Sequence, residues 1–206
     1  MKTIIYIDGF NFYYGACRRF GIKWVNPHAL AKILLPGHRI EAIRYFSAHL
    51  KPSPLDPDKA NRQGIYLRAL RTLHNVEVQM GSFLQSVKKM PVFPVADPPV
   101  LIDVLKTEEK GSDVNLATSL LLDAFDSQME SAVVISNDSD LLGPIRVVRQ
   151  RFGIKVGLLN PQKRVSYVLS AEVDFFKQIR RGVLEASRFA DTLSDEEGHF
   201  HKPPSW

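Results

Sequence analysis

Residues 132–159 read AVVISNDSDLLGPIRVVRQRFGIKVGLL, and this stretch decides the fold class. Ala132–Ser136 is a near-continuous apolar run too short for a helix, the pattern of a strand buried on both faces. Asp140–Phe152 reads as a helix whose regular start Gly143-Pro144 places nearer Pro144. Ile154–Leu159 is a second buried strand. A strand, a helix and a strand in succession form a parallel pair with a crossover.

The same alternation extends in both directions. Lys2–Asp8 is a buried strand broken by Gly9, and Phe10–Phe20 a helix ending at Gly21. Asn26-Pro27 supplies a cap and first position for a short helix to Leu35, stopped by Pro36-Gly37. A strand is expected over Ile40–Ala48, a proline-rich loop over Lys51–Asp58, and a long helix over Asp58–His74 with Ile65, Leu67, Leu70 and Leu73 as core candidates. Val76–Leu84 alternates as a third strand. Pro91, Pro94, Pro98 and Pro99 predict an irregular excursion or flap-like hairpin across residues 85–105. Ser112–Phe125 is the strongest helix, with Ser112 read as N-cap and Asp113 in the first turn. Asp174–Gln178 is a last strand, Arg180–Ala190 a short helix, and the rest a polar tail. The expected fold is α/β, a central parallel sheet with helices on both faces. One domain is expected over residues 1–190, with a C-terminal tail over 191–206.

Composition narrows the function classes. The 206 residues, 45% hydrophobic and 24% charged, have the balance of a globular domain rather than a disordered chain. No apolar run reaches the roughly 18 residues that span a bilayer, so no membrane partner is expected. The N-terminal apolar stretch is too short for a signal peptide. Cys17 stands alone, which excludes an internal disulfide and makes a cytoplasmic location the default. A net charge of +5 and a pI near 9.3 hint at a polyanionic partner. The six histidines form no zinc pattern, and neither a nucleophile elbow nor a phosphate-binding P-loop is present. Phe10 occupies the place where a haloacid-type phosphatase needs a second acid.

In an open parallel sheet, ligands bind outside the carboxyl ends of the strands. The first strand ends in Asp8, followed by Asn11; Ala132–Ser136 runs into Asn137-Asp138-Ser139-Asp140; the strong helix opens at Lys110-Gly111-Ser112-Asp113. Asp113 heads a stripe formed by Leu116, Ala117 and Leu120, which turns it toward the sheet. Carboxylates gathered this way repel one another unless a cation neutralises them, and oxygen ligands select Mg²⁺ or Mn²⁺. Such an ion activates water and stabilises the leaving oxygen in phosphodiester cleavage. Structural readings stand beside each residue: Asp8, Asp138 and Asp140 as caps or an Asx-turn, Asn11 as a turn residue, Asp113 as a dipole partner. Lys110 reads as a phosphate contact or as a solvated lysine beside Glu108 and Glu109. Ser136 reads as a water-orienting group or as a satisfied strand end. Arg18, Arg19, Arg62, Arg68, Arg71, Lys88, Lys89, Lys163 and Arg164 are candidates to hold nucleic acid. Phe12, Tyr13 and Tyr14 are candidates to stack on bases or to pack in the core.

Three segments, taken in order, resemble the signatures of the NYN domain family, relatives of the PIN-like nucleases. They are Ile7-Asp8-Gly9-Phe10-Asn11, Glu109-Lys110-Gly111-Ser112-Asp113-Val114-Asn115-Leu116-Ala117 and Ser136-Asn137-Asp138-Ser139-Asp140-Leu141. The likeness runs to about residue 160, and His201–Trp206 is similar to the ending of some members. It implies a single PIN-like domain and a ribonuclease site with Asp8, Asp113, Asp138 and Asp140 as catalytic metal ligands, lined by Asn11 and Ser136. It implies an RNA partner, single-stranded or structured, and admits a homodimer. Many members carry an acid six positions after the helix aspartate, where this chain has Ser119; that leaves one ion or two open. Asp123, one turn on, faces another way. The alternatives are a PIN-like module that binds RNA or protein without turnover, and a metal-dependent phosphatase or transferase acting on a nucleotide.

Overall fold

The structure is a computed structural model that describes all 206 residues. Its centre is a seven-stranded sheet in the order β4-β3-β2-β1-β5-β6-β7. The strands are β1 (Lys2–Asp8), β2 (Arg39–Ala48), β3 (Val76–Pro91), β4 (Leu101–Lys110), β5 (Ser131–Ile135), β6 (Lys155–Asn160) and β7 (Phe175–Gln178). All neighbours pair in parallel except β3 and β4. Successive strands move outward from β1 in one direction through β2 and β3, then in the other through β5, β6 and β7. The order therefore reverses between β1 and β5, the place where a doubly wound sheet opens a crevice.

The period of two along β1 builds two cores. Ile5 and Ile7 face one side with Phe12, Leu30, Tyr66, Leu70 and Leu184. Ile4 and Tyr6 face the other with Leu116, Leu120, Ile145 and Val148. The first layer holds α1 (Gly9–Phe12), α2 (Arg18–Phe20), α3 (Pro27–Leu34), α4 (Lys59–Arg71) and α8 (Arg181–Ala186). A π-helical stretch, Tyr13–Cys17, joins α1 to α2. The second layer holds α5 (Ser112–Phe125), α6 (Leu142–Phe152) and α7 (Tyr167–Ala171). No helix is long and apolar enough to cross a membrane.

Three local readings differ from the sequence expectation. The third strand does not stop at Leu84. It continues to Pro91 and pairs antiparallel with β4 from Ser82–Lys110 to Pro91–Leu101, so residues 85–105 form most of a long, exposed two-stranded arm. Pro94, Pro98 and Pro99 fall in the connection at its tip, and Pro91 at the strand's last residue, where a missing N–H is tolerated. Ser112 is the first helical residue rather than the cap of α5. Gly111 precedes it at φ 98°, a conformation open to glycine, and the Glu109 carboxylate takes the Ser112 N–H at 3.0 Å and its hydroxyl at 2.7 Å. Residues 191–206 carry a hairpin of β8 (Thr192–Asp195) and β9 (Gly198–His201). Phe200 enters the first core, and Arg68 on α4 grips Asp195 with two bonds of 2.6 and 2.7 Å.

Candidate functional site

The ends of β1 and β5 are locked by one hydroxyl. Asp8, only 5% exposed, caps α1 by accepting the Asn11 N–H on Oδ1 at 2.9 Å. Its Oδ2 accepts the Ser136 hydroxyl at 2.9 Å, and Ser136 Oγ in turn accepts the Asp138 N–H at 3.1 Å. Ser136 is wholly buried. Asp138 is half-buried and caps the short 3₁₀ turn Ser139–Leu141 by accepting the Asp140 N–H at 3.0 Å; Asp140 is exposed at the rim. The capping readings of Asp8 and Asp138 are thus realised, but each carboxylate oxygen has two lone pairs, so a cap leaves acceptor capacity free.

Asp113 enters from the first turn of α5 and is half-buried. Its carboxyl is pushed up to about 6, first by burial, then by repulsion from Asp8, Asp138, Glu109 and Asp140. Burial also raises Asp8, opposed by the Asn11 and Ser136 hydrogen bonds and reinforced by Asp138. The four acids expected from sequence therefore lie within electrostatic reach of one another, and Glu109 joins them. None of Asp8, Asp113, Asp138 or Asp140 is in an ion pair with a lysine, arginine or histidine. No three acidic, histidine or cysteine side chains stand close enough together to hold one ion in this geometry. The donor set itself, oxygen-only and without a protein cation, is of the kind that hard divalent ions take.

Ser119 offers no acid; its hydroxyl donates to Gln79 Oε1 at 3.2 Å. Asp123 is turned away from the site and committed to Arg44 and Tyr6.

Two clefts flank the first turn of α1. One, of about 540 Å³, is lined by Asn11, Asn137, Gln162, Lys163 and Arg164. Asn11 Oδ1 accepts from Gln162 Nε2 at 3.1 Å, and the Asn11 side chain also helps hold the Asp8 carboxyl down, so it stands between this cleft and Asp8. The other, of about 300 Å³, includes Gly9, Phe10, Tyr13, Tyr45, Tyr66 and Trp206 among its walls, with Lys23, Lys59 and Arg62 at its edge. Lys110 is exposed at the end of β4, 3.9 Å from Glu108. Of the other basic candidates, Arg62 and Arg68 are tied to Asp56 and Asp195, whereas Lys88 and Lys89 lie on the exposed arm. Phe12 is core, Tyr13 half-buried and Tyr14 exposed.

Sequence reading did not count Glu109 or Gln162 among the site residues. Glu109 lies inside the Glu-Lys-Gly-Ser-Asp segment that was read for Asp113. Gln162 follows the carboxyl end of β6, so the strand-end rule applied to that strand would have reached it.

Gly9 is fixed by a close approach. A Cβ there would lie 2.6 Å from Phe46 O and 2.7 Å from the Tyr45 ring. Gly9→Ala is expected to destabilise by about 1–3 kcal/mol, read from urea unfolding, and to shift the amide resonances of Asp8 and Asn11.

The profile of the NYN domain matches residues 2–180. The 6-hydroxy-3-succinoylpyridine 3-monooxygenase HspA of Pseudomonas putida is 29% identical over 239 aligned positions, covering 100% of this chain and 75% of its own length. A crystal structure of a Vibrio parahaemolyticus protein of unknown function superposes with a TM-score of 0.58 at 20% identity, over 87% of this chain and 93% of that one. The latter is a likeness of fold, and it agrees with a single PIN-like α/β domain.

Proposed function

The chain belongs to the NYN domain family, and on that premise we propose that it is a metal-dependent ribonuclease. RNA phosphodiester bonds would be hydrolysed at Asp8, Asp113, Asp138 and Asp140, which would hold Mg²⁺ or Mn²⁺. The observation that carries this reading is Asp113, whose carboxyl is raised to about 6 by burial and by four neighbouring acids, with no protein cation set against them. A fold keeps unneutralised acids together at its crevice at a cost in stability, which is expected of a functional site.

A divalent ion held by these carboxylates would supply Lewis acidity toward water and toward the phosphate charge. The chain's own groups prepare that chemistry. Ser136 fixes the Asp8 carboxylate and the Asp138 backbone relative to each other. Asn11, steadied by Gln162, offers an amide N–H to a phosphate oxygen. Lys110, Lys163 and Arg164 supply positive charge on either side of the acids, where a strand's neighbouring phosphates pass.

The test is a labelled-RNA digest with Mn²⁺ or with chelator, run beside calorimetric Mn²⁺ titration of the wild type and Asp138→Asn. Cutting only with metal, and loss of both metal binding and cutting in the variant, is the expected result. RNA retained without metal binding or cutting would leave a binding module on the same scaffold.

A second reading is monooxygenation of a substituted hydroxypyridine, the activity named for the Pseudomonas relative. It is favoured by the aromatic cleft edged with lysines. Oxygen uptake dependent on 6-hydroxy-3-succinoylpyridine and an added two-electron reductant would support it over RNA hydrolysis.

A further inference from the structure

The cleft behind Gly9 has walls and charges that the acidic site does not use. Tyr13 lies 6.4 Å and Tyr66 5.8 Å, centroid to centroid, from the indole of Trp206. The Trp206 indole N–H is buried and has no acceptor in the protein. Tyr45, 5% exposed, also lines the cleft, and its hydroxyl makes no hydrogen bond within the chain. Lys23 and Lys59 are half-buried at the edge and pair with no carboxylate; the Lys23 ammonium stands 5.9 Å from the Trp206 ring centre. The one acid present, Asp56, is already held by Arg62 in bonds of 2.5 and 2.7 Å. Two lysines with no carboxylate partner thus border three aromatic rings tilted against one another.

We propose that this cleft is a nucleotide subsite: it takes an unpaired base among Tyr13, Tyr66 and Trp206, with its phosphate on Lys23 and Lys59. The chemistry is that of sequence-tolerant single-strand binding, where aromatic faces take the bases and free cations take the backbone. The Tyr45 hydroxyl adds a donor for the base edge or the ribose. The volume of about 300 Å³ sits at the low end of small-ligand sites and suits one nucleotide rather than a duplex. Gly9 and Phe10 form part of the wall and directly follow Asp8. A strand seated in the cleft therefore brings its adjoining phosphodiester toward the acids. The proposal rests on the ribonuclease reading for the ligand's class, but it is tested without turnover.

The experiment is titration with adenosine monophosphate, a 5′-phosphorylated tetraribonucleotide and nicotinate, in chelator, followed by calorimetry and tryptophan fluorescence. Trp24 is 2% exposed in the core, so quenching by a ligand reports Trp206. Both nucleotide ligands are expected to bind and quench, the tetranucleotide more tightly. Trp206→Ala is expected to weaken binding at least about tenfold. Lys59→Ala, which removes no core contact, is expected to weaken it several-fold and to reduce its salt dependence. An unchanged thermal midpoint in Lys59→Ala, and a native circular-dichroism spectrum of Trp206→Ala at the titration temperature, separate this from unfolding, since Trp206 packs against the core. Absence of nucleotide binding, equal binding by wild type and both variants, or binding of nicotinate alone would overturn the proposal. Because no metal is present, failure here leaves the digest on wild type and Asp138→Asn to decide the ribonuclease reading separately.

Discussion

Asp123→Ala is expected to cost about 3–5 kcal/mol of folding stability, the penalty for breaking a buried ion pair by removing one partner. Asp123 is 6% exposed near the end of α5. Arg44 on β2 donates to its two oxygens through Nε and Nη2, each at 2.6 Å, and the Tyr6 hydroxyl on β1 donates to Oδ2 at 2.7 Å. Burial holds the Tyr6 phenol far above its ordinary range, so it stays a donor at every physiological pH. Alanine would leave a guanidinium and a phenol facing each other with no acceptor between them, although Glu77 retains one contact to Arg44. The midpoint of urea unfolding would fall with little change in its slope. Asp123→Asn keeps one carbonyl acceptor and should lose markedly less. The network joins β1, β2 and α5, the elements that carry Asp8 and Asp113, so the alanine variant should also weaken Mn²⁺ binding at the proposed site. A loss below about 1 kcal/mol would mean that the three groups contribute little beyond packing.

Asp113→Asn is expected to act in opposite directions on stability and on cleavage. The folded-state carboxyl titrates near 6 against an ordinary 3.8. The native state therefore binds this proton more tightly than the unfolded chain. The associated stability is fully present below about pH 4 and is lost as pH rises through about 6. Above that, the ionised group opposes folding. Removing its charge should raise stability at pH 8 by on the order of 1–2 kcal/mol, discounted because Asp113 is only half-buried. The gain should shrink steadily as pH is lowered from about 6 to about 4. If the proposed ribonuclease reading holds, RNA cleavage in Mn²⁺ should fall by about two orders of magnitude or more, since Asp113 is one of the proposed ligands. Wild-type protein at a hundredfold excess of Mn²⁺ over its dissociation constant should gain about 2.7 kcal/mol, and the variant far less. Chemical denaturation across pH 4–8 with and without metal reads all of these quantities. A variant less stable than wild type at pH 8 would show that Asp113 is a structural acid.

Sequence and tertiary structure divide this protein at the range of the interactions involved. Short-range chemistry is complete in the sequence. The apolar run of β1, the Asn26-Pro27 cap of α3 and the β5–α6–β6 succession each depend on residues a few positions apart. They dictate a parallel sheet, and the sheet dictates that Asp8, Asp138 and Asp113 gather at one edge. The exclusion of Asp123 was decided by folding: one turn beyond Ser119 it shares that face of the helix, and it is its bonds to Arg44 and Tyr6 that commit it elsewhere. For residues 85–105 the prolines left an irregular excursion and a flap-like hairpin both open; the structure takes the hairpin, and its length and register did not follow because β3 beyond Leu84 is largely exposed and its pairing with β4 is made across a loop. The docking of residues 191–206 did not follow, because its anchors, Phe200 and the Arg68–Asp195 pair, lie far apart in the chain. The same holds at the site. The aspartates were legible because each sits at the end of its own element. The Ser136 hydroxyl shared by two strand ends, the entry of Glu109, and the two clefts were decided only by folding. So was the sorting of basic residues into the committed Arg62 and Arg68 and the free Lys23 and Lys59. Each depends on which distant groups come within a hydrogen bond of one another, and that is settled by strand order and packing rather than by any local pattern.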